Sequence, residues 1–149
     1  MLLICNLGAT GYLIYKSQQT VNEGTASTDE SLPAELDSAE GKEALFEKFR
    51  EPFNNKDDDK LYTLLDPLVR TEVTREKFDE QMPLIYQIGS TINNGVYSHY
   101  DYQGITRGRK VFILHYIIET DNGAATLDIT IAQADQEPYT IWGFHINKQ

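Results

Sequence analysis

The dipeptide Asn122-Gly123 sits between two long runs of alternating apolar and polar residues, and no other feature restricts the fold as much. Asn-Gly supplies the positive φ angles of a two-residue hairpin turn, so the flanking runs lie antiparallel. With that dipeptide as the loop, Ile118 faces Leu127, Tyr116 faces Ile129 and Leu114 faces Ile131. A second turn, Asp135-Gln136-Glu137-Pro138, puts Ile131 beside Trp142, Ile129 beside Phe144 and Leu127 beside Ile146. Two independent turns therefore send Phe112, Leu114, Tyr116, Ile118 and these partners to one face. A slip of one residue moves a strand's whole apolar set to the other face, so the convergence supports the pairing. The predicted strands cover about 93–103, 110–120, 124–133 and 139–147.

The opposite face is mixed. It carries Val111, Ile113, His115, Ile117, Thr126, Asp128, Thr130, Ala132, Ile141, Gly143 and His145. Asp128 falls directly across from His145, at a Cβ separation of about 5 Å. His115 falls across from Thr130 and diagonal to Asp128. The first strand has two readings, because the loop around Arg107-Gly108-Arg109 closes in more than one way. If Tyr100 and Tyr102 turn to the core, then Tyr97, His99 and Asp101 join the mixed face and His99 lies beside His115. Otherwise His99 and Asp101 point into a helix-covered cavity.

Before Gly89 the apolar period is that of a helix. Residues 39–55 place Leu45, Phe46, Phe49 and Phe53 on one side. Asp57, Asp58 and Asp59 open a second helix, where negative charge suits the helix dipole, and this helix stops before Pro67. The glycine and closing glutamate of a calcium loop are absent. Leu68 to Val73 reads as a connector or short strand. Thr74 caps a third helix, REKFDEQMPLIYQI, with Phe78, Met82, Ile85 and Ile88 inward, Pro83 as a kink and Gly89 as terminator. The fold class is α+β: N-terminal helices packed on a curved, four-stranded antiparallel sheet.

The stretches FEKFREPFNNKDDDKLYTLLDP and TREKFDEQMPLIYQIGSTINNG, with the closing YTIWGFHIN, resemble the nuclear-transport-factor-two-like superfamily of α+β cones over roughly residues 40–149. The resemblance is to small, mostly uncharacterised bacterial members often found behind a signal or anchor. It implies a cone whose members include isomerases and dehydratases working inside it with carboxylate, Tyr or His groups. It equally implies non-enzymatic binding and dimerisation modules that pair through the outer sheet face. No family catalytic motif maps onto this chain.

Ahead of the domain, residues 1–15 carry no charge and residues 17–38 are polar, small and acidic. An apolar helix of the first stretch covers about 22 Å, short of a bilayer core of about 30 Å. No basic stretch precedes Leu2, so the true start is expected upstream. Residues 1–16 then read as a membrane anchor or signal remnant; a buried N-terminal helix is the alternative, weakened by Gly8 and Gly11. Ile4 stands where a lipoprotein signal before Cys5 has a small residue. Residues 17–38 read as a flexible linker, leaving 39–149 as the domain, on the extracytoplasmic side, membrane-tethered or secreted. With 13 Lys+Arg against 23 Asp+Glu the chain is acidic, which argues against a general nucleic-acid binder. One cysteine excludes an intrachain disulfide.

Three candidate sites follow. His115, Asp128 and His145, with His99, are residue types that bind zinc, but an Asp128–His145 pair is the plainer reading and nothing matches the helical HExxH spacing. No metal or cofactor is therefore expected. If His99 and Asp101 point inward, they form an acid/base pair near Tyr116, Trp142 and Phe144, which would line a ligand pocket. The third candidate is the mixed face itself. Val111, Ile113, Ile117 and Ile141 would be exposed in a monomer, which marks an interface for a second copy or an envelope partner, with His115, Asp128 and His145 among them. The basic turn Arg107-Gly108-Arg109-Lys110 reads as a solvated hairpin tip, and Tyr97, Tyr100 and Tyr102 as packing.

Overall fold

Gly89 divides the molecule where it divides the pattern, with helices before it and strands after. The computed structural model describes residues 30–149. The helices are α1 (Ala39–Asn54), α2 (Asp58–Leu64), α3 (Pro67–Glu72) and α4 (Arg75–Ile88). The strands are β1 (Ile92–Thr106), β2 (Arg109–Thr120), β3 (Gly123–Gln133) and β4 (Thr140–Lys148). They form one open antiparallel sheet in the order β1-β2-β3-β4.

Each helix begins on a side-chain cap that satisfies an otherwise orphaned N–H. Ser38 accepts from Gly41, Asp57 from Lys60, Asp66 from Leu68 and Thr74 from Lys77. α1 buries Leu45, Phe46, Phe49 and Phe53, and α4 buries Phe78, Met82 and Ile85. The aspartate run starts α2 as expected. Asp58 also accepts a hydrogen bond from the Tyr86 hydroxyl (2.6 Å), tying α2 to α4.

Where Leu68 to Val73 is expected as a connector or short strand, Pro67–Glu72 forms α3. Pro67 ends the previous helix and also occupies the first turn of the next, where its missing N–H costs nothing. Asp66 is buried; its carboxylate accepts from the Leu68 N–H (2.7 Å) and its own N–H donates to the Ile141 carbonyl (2.8 Å). Asp66→Ala is expected to destabilise the protein by about 1–2 kcal/mol, read as a lower urea midpoint at unchanged slope.

The expected linker 17–38 ends earlier than its composition suggests. Leu32 and Leu36 are buried around a short 3-10 turn, Ala34–Leu36. Two leucines four apart are enough because they join an existing core rather than build their own face. Segment 1–16 and linker residues 17–29 lie outside the described residues. Among the described residues no helix is long and apolar enough to cross a membrane.

The β2–β3 hairpin keeps the predicted faces with a different alignment. The β2–β3 loop is Asp121-Asn122, with Thr120 paired to Gly123, so Tyr116 faces Leu127, Leu114 faces Ile129 and Phe112 faces Ile131. This is a shift of two residues, which preserves side-chain direction. The positive φ falls on Gly123 (108°), and the Thr120 hydroxyl closes the turn by accepting from Asn122 N–H (3.0 Å) and donating to the Gly123 carbonyl (2.8 Å). The two-residue turn with both φ positive lies instead at Arg107 (54°) and Gly108 (77°). The β3–β4 pairs Leu127–Ile146, Asp128–His145 and Ile129–Phe144 stand as predicted. Beyond them a bulge pairs Ile131 with Ile141 instead of Trp142.

Gly89 does not terminate α4 by a left-handed turn, since its φ is −171°. Its role is space: a Cβ there would stand 2.7 Å from the Thr120 side chain.

Candidate functional site

Strand pairing sets His99 opposite His115, His115 opposite Asp128 and Asp128 opposite His145. One transverse row on the face away from the helices thus holds an ionisable side chain from every strand. A bulge between Tyr97 and His99 aims the first of them. It sends Tyr97 to the inner face against Tyr116 (ring centroids 5.8 Å) and His99 to the outer face. The expectation that Tyr97, His99 and Asp101 share a face therefore holds for the last two only.

His115 is the centre of the row. Its Nδ1 donates to Asp128 Oδ1 (2.7 Å) and its Nε2 to Asp101 Oδ2 (2.9 Å). The predicted Asp128–His145 pairing is present as strand register, but the carboxylate bonds His115, because the two-residue shift brings that ring directly opposite. Two carboxylate acceptors favour the imidazolium. The Asp128 hydrogen bond, followed by the Asp128 charge and Asp101, raises the His115 pKa against the opposing effect of burial. His99 stacks on His115 (4.4 Å, 21°) and bonds Ser98 Oγ through Nδ1 (2.9 Å). His145 is buried, and desolvation pushes its pKa down to about 4 although Asp128 pulls the other way. Two histidines of one row are thus driven in opposite directions by their surroundings.

The apolar part of the outer face differs from expectation. Val111 and Ile141 are buried. The β4 bulge draws Ile141 opposite Ile131 and into a parallel bridge with Leu65. Val111 lies opposite fully buried Ala132. Ile113 is half-buried. The exposed aliphatics are Ile117 (51 %) and its β1 neighbour Val96 (67 %). Val96 was missed because no sequence signal marks the bulge that fixes its direction.

The interior residues are packed side chains. Phe144 meets Phe49 (4.7 Å) and Phe78 (6.4 Å). Tyr116 stacks on Phe46 (5.3 Å) and its hydroxyl donates to the Lys42 carbonyl (2.7 Å). Burial raises its pKa well above the phenolic range. Trp142 is buried, with the Arg109 guanidinium 6.0 Å over its ring. His99 and Asp101 lie on the other side of the sheet from Tyr116 and Phe144, so the five do not form one site. A cleft of about 230 Å³ opens between α1 (Lys42, Phe46) and β1 (Gly95, Val96), with Tyr97 and Tyr116 in its wall. In the hairpin tip, Arg107 pairs with Glu72 (2.7 Å).

The chain matches no protein-family model. A search of curated proteins finds no match either.

Proposed function

We propose that this chain is a non-catalytic binding or assembly module of the nuclear-transport-factor-two-like type, pairing with a second copy, or with an envelope protein, through the outer face of its sheet. The observation that carries the reading is the Val96–Ile117 pair, directly opposite one another on neighbouring strands β1 and β2 and both exposed. Half-buried Ile113 continues the strip on β2, beyond His115. A twofold axis through this strip sets aliphatic against aliphatic and leaves the Asp101–His115–Asp128 cluster available to bond across. The charge-free residues 1–15 and the acidic stretch after them support a membrane-tethered or secreted location with the domain outside the cytoplasm. The rival reading is a small-molecule binder or acid/base enzyme working inside the cone. It has less support, since the interior is filled by aromatic side chains and the His99 and Asp101 groups face outward.

Sedimentation of the full chain tests the proposal. The native protein is expected to be dimeric at tens of micromolar. Ile117→Lys is expected to weaken pairing at least about tenfold, because it sets two ammonium groups against each other. A native chain that stays monomeric at high micromolar concentration, or a dimer indifferent to the substitution, would contradict it.

A further inference from the structure

The outer-face row has a chemistry of its own, independent of any pairing. His99, Asp101 and His115 each offer one ligand atom, and these atoms lie within 4.8 Å of one another. We propose that these three side chains form a binding site for a divalent transition-metal ion of the zinc class. The donor set, two imidazoles and one carboxylate, suits zinc, nickel or copper rather than calcium or magnesium, which prefer oxygen alone. Zinc binds such atoms at about 2.0–2.2 Å, so tetrahedral ligands stand roughly 3.4 Å apart. His115 Nε2 and Asp101 Oδ2 are already 2.9 Å apart. His99 and Asp101 are exposed and have room to close the remaining distance.

Asp128 supplies what a chance cluster lacks. Its bond to His115 Nδ1 fixes the tautomer and turns Nε2 toward the other two ligands, as a carboxylate behind a metal-bound histidine does. The bulge after Tyr97 serves the same end by placing His99 directly across from His115. Binding releases the Nε2 proton to solvent and leaves the Nδ1 proton shared with Asp128. Three protein ligands leave one tetrahedral position open to water or to a donor from another molecule.

The test is titration of the metal-free full chain with Zn²⁺ by calorimetry. ¹⁵N-histidine spectra are recorded alongside, to show which rings bind. One ion per chain is expected, at micromolar affinity, shifting His99 and His115 but not His145. His99→Ala and Asp101→Asn, both at exposed positions, are each expected to weaken binding about tenfold or more while each variant still unfolds in one cooperative transition. Absence of binding at 1 mM Zn²⁺ would overturn the site, as would unaltered affinity in both variants or shifts confined to His145.

Discussion

Phe144→Ala is expected to remove about 3–5 kcal/mol of stability, the usual cost of deleting a buried aromatic ring and leaving its cavity. That is a large part of the roughly 5–15 kcal/mol that holds a domain together. The position matters because Phe144 stands on β4 and touches rings from two helices, Phe49 of α1 and Phe78 of α4. Its loss uncouples the helical layer from the sheet, rather than thinning one layer. Urea unfolding followed by circular dichroism checks this, with Phe144→Leu as a control that keeps most of the volume and loses markedly less. A cost below about 1 kcal/mol for the alanine variant would mean that the helices do not rest on β4.

Acid is the second large lever, and it acts through His145. The neutral ring is buried and its pKa is pushed down to about 4, from an ordinary 6.5. The unfolded chain therefore binds a proton between those values that the folded chain refuses, and stability falls as pH falls. The shift corresponds to about 3 kcal/mol lost between pH 7 and pH 4. Asp128, which faces His145 from β3, opposes the shift without cancelling it. His115 carries the opposite sign. Its pKa is raised, so its contribution is full below pH 6.5 and fades as pH rises through the folded value. The acid limb thus belongs to His145 among the histidines. His145→Gln, which cannot charge, is expected to lose about 3 kcal/mol less than the native chain between pH 7 and pH 4 by denaturant titration, since carboxylate contributions are shared. Parallel pH profiles would show that the ring is not held neutral.

The parts of this fold legible in the sequence were those that a local rule decides. The α1 and α4 limits follow from apolar spacing and, at α4, from Thr74 as cap; the Ser38 cap of α1 is seen only in the structure. The faces of β2 and β3 survive because a misplacement of two residues leaves direction intact. What escaped depends on contacts distant in sequence. α3 is six residues long, too short for periodicity to reveal, and is held by Asp66 and its bond to Ile141. The bulges at Tyr97/His99 and Thr130/Ile131 leave no compositional trace, yet they decide that Val96 and His99 point outward and that Ile141 is buried. His115, Asp128 and His145 were legible as neighbours on one face. That His115 takes Asp128, with Asp101 on its other nitrogen, required the actual alignment of β2 with β3 and the direction of β1.

Backbone NOEs on the isotopically labelled full chain test that alignment directly. The structure requires cross-strand contacts between His99 and His115, between His115 and Asp128, and between Asp128 and His145. Contacts from His115 to Thr130 would break up the cluster, and contacts to Leu127 or Ile129 would turn the histidines inward; either would refute the outer-face site.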